Sequence, residues 1–474
     1  MNDIVVVKNL GFTYRSWDGK LNKPVLENLD CTFQAKSKTL LLAPFDGGKS
    51  TFARILGGLC PKYIQGTLSG KLLVNGKDLS VTDPWDLLLD CGYVSQDPQE
   101  QFIATTVEDE IAFPLESLGL SRESISKRVD QVLDTWDLIP MRGASEQELS
   151  GGERKRVLLA VLEAVNPTFW ILDESFDDLD IQWRSLLAEK IKEDSHTVLV
   201  LASRYLAQFE GLFDHYALLE QGKLRFGEKQ EILQAFSFLC GDDLPNPLDT
   251  QIVRISHSQT LACSNLKTIR TRVSSIDVVP FTLFVPSFSL VSGDLATLVG
   301  PNGSGKSTFS RLLCGLDIPV EGTFTLDGIL QTAKGLNRTV GYLFQNPDLQ
   351  IFLPTVREEL AWSLKRIKNL SALEIEQKVS DCAVLFELEL DDTPSTMSYP
   401  LRKALQAAVY YLLDRPFYIL DELDNALTYA TALKIIARLR RNGAGLLLIT
   451  HDQKFASLLS HTTFAIKDGR LERQ

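Results

Sequence analysis

Two glycine-rich segments of the chain end in the same Lys-Ser-Thr triplet, and the second has the features of a phosphate-binding loop. Gly300 follows the apolar run LATLV, and the helix-like run FSRLLCGL follows Thr308. Glycines let such a loop present N–H donors at a helix N-terminus, the lysine adds positive charge, and the next hydroxyl ligates Mg²⁺. The predicted nucleotide-binding residues are Gly300, Pro301, Asn302, Gly303, Ser304, Gly305, Lys306, Ser307 and Thr308.

The first glycine-rich segment is altered. Ala43 and Asp46 stand where glycines are expected, and a carboxylate beside the phosphates opposes anion binding. We expect nucleotide still to bind here in an altered geometry, although a loop that no longer binds phosphate remains an alternative. The predicted binding residues of this segment are Gly47, Gly48, Lys49, Ser50 and Thr51.

Two acidic pairs, Asp173-Glu174 and Asp421-Glu422, each end an apolar run. Such an acid can simply cap the next helix. After a phosphate loop on the same sheet, the aspartate is expected to hold Mg²⁺ and the glutamate to orient and polarise the attacking water. The second reading therefore predicts phosphoryl transfer to water.

Three further polar residues lie where they could sense a bound nucleotide. His451 follows the run LLLIT, the expected strand after Glu422, and this position suits a contact to a γ-phosphate. The matching position in the first half is Ser203, which has no imidazole. Gln96 and Gln345 stand in a repeated GY-x-x-Q motif, which on its own says little.

All these segments occur twice in the same order, so the chain contains two copies of one domain. Ser150 precedes Asp173 by 23 positions, and Ser398 precedes Asp421 by the same 23. In each copy short β-rich apolar runs alternate with helix-like stretches, a pattern that predicts an α/β fold with a mostly parallel sheet. We expect a first domain over residues 1–235, a linker over 236–258 that is rich in turn formers and acids, and a second domain over 259–474.

Composition restricts the function classes. The formal net charge is -12 and the pI about 5.1, which does not favour binding to nucleic acid over a broad surface. No apolar run reaches the roughly 18 residues that span a bilayer, and no signal peptide is expected. The seven scattered cysteines contain no CxxC pair, which favours thiols in a reducing compartment over disulfides or zinc.

Together these motifs resemble those of ATP-binding-cassette ATPases. Lys306, Gln345, Asp421-Glu422 and His451 match the Walker A, Q-loop, Walker B and switch-histidine positions, and LSGGE at 149–153 matches the signature. The resemblance implies two ABC-type P-loop NTPase domains in tandem, each with a mostly parallel sheet, an antiparallel β part and a helical subdomain. It also implies ATP and Mg²⁺ as ligands.

The resemblance assigns roles to individual residues. The catalytic residues would be Glu422, His451, Gln345 and Glu174. The Mg²⁺ ligands would be Ser307, Gln345 and Asp421 in the second half and Ser50, Gln96 and Asp173 in the first. Gln96 would also contact nucleotide. Tyr14 would stack on adenine, and Arg270 occupies the matching position of the second half. Ser150, Gly151 and Gly152 would contact the γ-phosphate.

In such proteins the two halves pair head to tail, and each ATP lies between the Walker motifs of one half and the signature of the other. The second signature here reads Met397-Ser398-Tyr399-Pro400-Leu401, without either glycine. Proline has no N–H, and tyrosine prevents the close backbone approach that glycine allows. The second-half Walker motifs would therefore meet the intact signature, which predicts one hydrolytic site and one slow or purely binding site.

The runs QDPQEQFIATTVEDEIAF and QNPDLQIFLPTVREELAW resemble the ATPases of energy-coupling-factor importers, which take up vitamins and metal ions. That resemblance implies a transmembrane coupling protein and a small substrate-binding membrane protein as partners, at the cytoplasmic face of the cell membrane, with no nucleic-acid partner. The alternatives are a soluble tandem ATPase acting on ribosomes and a tandem sugar-importer ATPase. The short linker and the broken signature disfavour the first of these, and the Q-loop runs disfavour the second.

Overall fold

The computed structural model describes residues 3–473 except 16–23, 45–46, 178, 194–195, 205–210, 241–257, 274–277, 302, 366–369, 425–426, 451 and 460–461. The described residues divide into two compact units, of which the first runs to Cys240. Asn302, His451 and most of the predicted linker lie outside the described residues. The last helix of the first unit continues to Cys240, beyond residue 235, where we placed the domain boundary.

The first unit contains two sheets and six α-helices among its described residues. Its strands are β1 Asp3–Tyr14, β2 Leu26–Gln34, β3 Lys38–Leu42, β4 Gly66–Val74, β5 Lys77–Asp78, β6 Cys91–Val94, β7 Phe169–Asp173, β8 Thr197–Ala202, β9 His215–Glu220 and β10 Lys223–Gly227. Its helices are α1 Lys49–Leu56, α2 Val107–Ser117, α3 Arg122–Thr135, α4 Gly151–Val165, α5 Ile181–Glu193 and α6 Lys229–Cys240.

The larger sheet of this unit has the strand order β10-β9-β3-β8-β7-β6 and carries the candidate site. Strand β3 pairs in parallel with β8 and β9, and β7 pairs in parallel with β6 and β8. Strands β3, β7 and β8 are buried at every residue, as expected for parallel strands covered on both faces. A smaller antiparallel sheet has the order β2-β1-β4-β5.

The second unit repeats this plan. Its strands are β11 Thr260–Val273, β12 Val278–Val291, β13 Leu295–Val299, β14 Glu321–Leu326, β15 Ile329–Leu330, β16 Val340–Leu343, β17 Phe417–Asp421, β18 Gly445–Ile449, β19 Thr462–Lys467 and β20 Arg470–Arg473. Its helices are α7 Lys306–Leu313, α8 Ala333–Thr339, α9 Val356–Lys365, α10 Ala372–Phe386, α11 Tyr399–Leu413, α12 Tyr429–Arg440 and α13 Gln453–Leu459. These strands join into one sheet of order β15-β14-β11-β12-β20-β19-β13-β18-β17-β16.

Three helices of each unit pack together and share an apolar core with one face of the parallel strands. In the first unit α2, α3 and α4 share a core that includes Ile111, Leu133 and Trp136. In the second, α9, α10 and α11 share a core around Leu360 and Phe386. The expected α/β fold, with parallel core, antiparallel part and helical part, is therefore confirmed in both halves.

Two further findings concern the cysteines and the length of the helices. The seven cysteines all lie in the described residues and form no disulfide. No helix in the described ranges is both long and apolar enough to cross a membrane.

Candidate nucleotide-binding sites

The second-half phosphate loop connects β13 to α7. Gly300 has φ 155°, and a Cβ added there would lie 2.6 Å from the carbonyl oxygen of Ile466, so only glycine fits. The buried Lys306 donates from Nζ to the carbonyl oxygens of Gly300 at 2.8 Å and Pro301 at 3.0 Å. The Ser304 hydroxyl is buried without a hydrogen-bond partner among the described residues. An uncompensated hydroxyl and a lysine folded into a glycine loop fit a phosphate group.

The second acidic pair lies at the end of β17, whose neighbours β16 and β18 run parallel to it. Asp421 is buried and accepts a hydrogen bond from the Tyr342 hydroxyl at 2.5 Å. Burial and the neighbouring charge of Glu422 raise the pKa of Asp421 to about 6. A cation near this carboxyl would favour its ionised form, so the position suits Mg²⁺ binding.

Glu422 and Gln345 contact each other directly. Gln345 Nε2 donates to Glu422 Oε2 at 2.7 Å, and the backbone N–H of Glu422 donates to the carbonyl oxygen of Ile449 at 2.9 Å. Glu422 has φ 46°, which turns the chain sharply after the strand. Next to this turn, the buried Asp424 accepts from Thr450 Oγ1 at 2.7 Å. The structure thus brings the predicted Gln and Glu together, while His451 lies outside the described residues.

The first-half lysine has different partners. Lys49 opens α1 and is buried, with Nζ 3.0 Å from Glu174 Oε1 and 3.5 Å from Asp173 Oδ1. Burial opposes its charge, but the carboxylates of Glu174 and Asp173 together raise the pKa of Lys49 above its usual value. Where Lys306 is folded into its loop, Lys49 is therefore paired with the two acids of its own half.

Glu174 is bound from a second side as well. Ser203, which stands at the histidine position, donates to Glu174 Oε1 from its backbone N–H at 2.8 Å and from its hydroxyl at 2.5 Å. Burial raises the pKa of Glu174, and the charge of Lys49 opposes that rise. A carboxylate held by Lys49 and Ser203 is poorly placed to polarise a water molecule.

The two positions predicted to face adenine are also built differently. The Tyr14 hydroxyl is 2.9 Å from Thr51 Oγ1, which places this ring beside the start of α1. Arg270 instead pairs with Asp317, which also binds Arg311 Nε at 2.8 Å. A guanidinium plane can stack on a base, but this one is directed by an acid on its own half.

Each Q-loop is tied to the helix that follows the signature by a buried lysine that the sequence reasoning missed. Lys155 Nζ donates to the carbonyl oxygens of Ser95 at 2.8 Å and Gln96 at 3.0 Å. Lys403 Nζ donates to the carbonyl oxygen of Phe344 at 2.7 Å. Burial lowers the pKa of Lys403 to about 8. Both lysines stand at the same place after the signature, LSGGERK and MSYPLRK, and this repetition was the available signal.

The two signatures begin their helices in different ways. Ser150 caps α4 in a capping box, in which its N–H donates to Glu153 Oε2 at 2.7 Å. A Cβ added to Gly151 would meet no atom within 4 Å, so its surface is open. Ser398 starts α11 without a side-chain cap, and its hydroxyl is buried without a partner in the part of the chain that the structure describes. Whether each signature meets the other half's loop stays a prediction.

The Mg²⁺ ligands predicted for each half come from three separate segments. Among the described residues no group of three or more His, Cys, Asp or Glu side chains could hold a metal. Ser307 is exposed at the start of α7, Asp421 is buried at the end of β17, and Gln345 is exposed after β16. In the first half Ser50 is half-buried and Asp173 fully buried. One carboxylate with a hydroxyl and an amide fits a Mg²⁺ ion that is bound mainly through phosphate oxygens.

Comparison with known proteins identifies relatives along the whole chain. A model of the ABC transporter family matches residues 26–177 and 283–425. A Bacillus subtilis protein with the provisional name HMP/thiamine import ATP-binding protein YkoD is 28% identical over 508 residues, covering 99% of this chain and 91% of that protein. A Treponema denticola protein, provisionally named an ABC transporter ATP-binding protein, is 28% identical over 448 residues, covering 90% of this chain and 88% of its own.

Solved structures with the same fold include the archaeal ribosome recycling factor aABCE1 in complex with ribosomal stalk protein aP1. It has a TM-score of 0.59 at 20% sequence identity and covers 97% of this chain and 89% of its own. At that identity the likeness establishes the fold alone.

Proposed function

The chain belongs to the ABC transporter family, and from this premise we propose that it is the ATP-hydrolysing subunit of a membrane importer of the energy-coupling-factor type. Members of the family hydrolyse ATP with Mg²⁺, and the chain is accordingly an ATPase. The proposal adds the direction of transport, the partners and the unequal roles of the two halves.

The observation that carries the asymmetry is the different state of the two glutamates. Glu174 is engaged by Lys49 and Ser203, whereas Glu422 contacts Gln345 and belongs to the half whose phosphate loop has its full set of glycines. We therefore assign hydrolysis to the Walker residues of the second half, paired with the intact signature at Ser150. The first-half Walker residues, paired with the signature at Ser398, bind nucleotide and turn it over slowly or not at all.

The proposed reaction follows from the second-half geometry. The N–H groups and Lys306 of the loop hold the phosphates, and the open helix start at Gly151 binds the γ-phosphate. Asp421, Ser307 and Gln345 would hold Mg²⁺, which when bound neutralises charge on the phosphate oxygens. Glu422 orients and polarises the attacking water, and His451 contacts the γ-phosphate. In the first half, Ser50, Gln96 and Asp173 would hold the corresponding ion.

The membrane partner is supported by exposed apolar side chains after each Q-loop. Ile103 in the first half and Phe352 in the second are 73% and 76% exposed, and Leu349 is 62% exposed. Large apolar side chains clustered on a surface are typical of a binding face. We propose that these two segments bind a transmembrane coupling protein, and that a small membrane protein on that partner selects the substrate.

The substrate class rests on one relative. The YkoD protein of Bacillus subtilis carries import of HMP/thiamine in its provisional name. We propose uptake of a vitamin or a metal ion, at the cytoplasmic face of the membrane. A role on ribosomes is not favoured, since the likeness to aABCE1 concerns the fold only.

Co-purification from detergent-solubilised native membranes tests the importer. The tagged chain should bring down a multi-helix coupling protein and a small integral membrane protein. The ligand that the small protein binds would then identify the substrate. The matched control carries Ile103→Asp and Phe352→Asp, which should release both partners while leaving ATP binding intact. Recovery of ribosomes, or good yield without a membrane protein, would contradict the importer reading and leave a tandem ATPase.

A further inference from the structure

Tyr399, in the altered signature of the second half, contacts the Q-loop of the same half. Its hydroxyl donates to the carbonyl oxygen of Gln345 at 2.7 Å. The side chain of that same Gln345 donates to Glu422 at 2.7 Å. Gln345 therefore links the first turn of α11 to Glu422, the glutamate to which we assign hydrolysis.

The contact is one of several along one face of α11. Lys403 and Gln406 both donate to the carbonyl oxygen of Phe344, at 2.7 Å and 3.2 Å. Gln350 donates to the Tyr410 hydroxyl at 2.8 Å. Positions four, seven and eleven after Tyr399 share its helical face, so this face holds the Q-loop from Phe344 to Gln350.

The first half has the same helix without most of these contacts. The matching positions of α4 are Gly151, Lys155, Leu158 and Leu162. The lysine is retained and holds the Q-loop backbone, but glycine and leucine side chains cannot make hydrogen bonds. Among the described residues, the side-chain contacts from Tyr399, Gln406 and Tyr410 thus belong to the half whose glutamate we assign to hydrolysis, and the tyrosine that replaces the signature glycine supplies one of them.

We propose that Tyr399 is a positioning residue that fixes the Q-loop backbone so that the Gln345 amide is held on Glu422. This inference rests on the proposed roles of Gln345 and Glu422 in hydrolysis. Tyrosine in place of glycine at position 399 removes the signature from the site that uses the first-half Walker residues. The same tyrosine orders Gln345, the catalytic glutamine of the other site, which lies in the same half as Tyr399. Tyr399 itself touches neither nucleotide nor water in this role and acts through Gln345.

Tyr399→Phe tests the proposal because it removes only the hydroxyl. In steady-state ATP hydrolysis by the full-length chain we expect kcat to fall about fivefold, the usual effect of one lost hydrogen bond. KM for ATP should stay unchanged, since the contact involves no group that binds base or phosphate. Tyr411→Phe is the matched control: it removes a hydroxyl from the same helix, where the ring packs on Phe386 with centroids 5.6 Å apart, and should leave kcat unchanged.

A double substitution separates positioning from general stability. In a Gln345→Ala background no amide remains to be held, so Tyr399→Phe should cause no further fall in kcat. A fivefold fall that persists in that background, a rise in KM with unchanged kcat, or a result equal to that of Tyr411→Phe would overturn the inference. If Gln345→Ala and Glu422→Gln both leave kcat unchanged, the proposed function of this half fails instead, which is a distinguishable outcome.

Discussion

Glutamine in place of Glu174 and, separately, in place of Glu422 should affect different properties of the protein. Glu174 is buried 3.0 Å from Lys49 Nζ and accepts from Ser203. Glu422 is only half-buried and accepts from the Gln345 amide. The first glutamate is therefore held in a buried ion pair with a lysine, whereas the second accepts from the neutral amide of the Q-loop glutamine.

The magnitudes follow from these contacts. Removing one partner of a buried ion pair costs about 3–5 kcal/mol. Because Asp173 remains 3.5 Å from Lys49, we expect the lower end for Glu174→Gln, about 3 kcal/mol, or roughly 6–12 °C in the melting of the first unit. Glu422→Gln keeps a group that can bond to Gln345 and should cost less than about 1 kcal/mol. Its kcat should fall on the order of 100-fold or more, because the group that polarises the water is lost.

The assay has two parts. Unfolding of the full-length chain is followed by calorimetry without nucleotide, and steady-state ATP hydrolysis is measured at a temperature where both variants are folded. Under those conditions Glu174→Gln should retain kcat within about twofold, because the Glu174 carboxylate of the parent protein is already bound to Lys49. Equal loss of turnover in the two variants would refute the asymmetry. A Glu174→Gln variant as stable as the parent would refute the structural reading of the Lys49 pair.

Three shorter predictions concern single positions. Gly151→Ala should leave the unfolding midpoint unchanged, because the added Cβ meets open space. The same change should reduce kcat at least about tenfold if the γ-phosphate approaches this backbone. An unchanged kcat would contradict the signature assignment. Ser203→Ala should destabilise the first unit by about 1–2 kcal/mol in denaturant unfolding with little effect on turnover, because Glu174 loses a buried donor. For Lys403, whose folded pKa of about 8 is below its ordinary value, the unfolded chain binds more protons above pH 8. Stability should therefore rise from pH 8 to 9.5 by up to about 1.4 kcal/mol per pH unit, and Lys403→Met should remove this rise.

Much of the fold could be predicted from local pattern. The runs TLLLA and FWIL became the fully buried strands β3 and β7, because an unbroken apolar run is suited to a sheet covered on both faces. The loop before α7 was predictable since glycine spacing and Lys306 determine its conformation locally. The acidic pairs were found by their position at the ends of apolar strands.

The side-chain contacts within each site were not predictable in this way. Lys49 and Lys306 occupy the same motif position, yet one is paired with acids and the other with loop carbonyls. That difference depends on the exact geometry of the neighbouring strands and on Ser203, which lies far away in sequence. The contact of Tyr399 with Gln345 likewise joins residues 54 positions apart, and no short-range pattern encodes it.

The Lys49 ion pair also bears on how the first half would bind nucleotide. A phosphate that takes Lys49 as its partner must separate it from Glu174, and buried ion pairs are costly to break. A loop that has lost a glycine at Ala43 offers a less adaptable backbone with which to compensate. We therefore expect weaker ATP binding by the first-half Walker residues than by those of the second half. The same pair, however, stabilises the unit without nucleotide, and Glu174 has no hydrolytic role to lose if this site only binds. The serine at the histidine position and the Lys49 ion pair thus support each other. Ser203 supplies the bonds that keep Glu174 in place, and Glu174 keeps Lys49 charged.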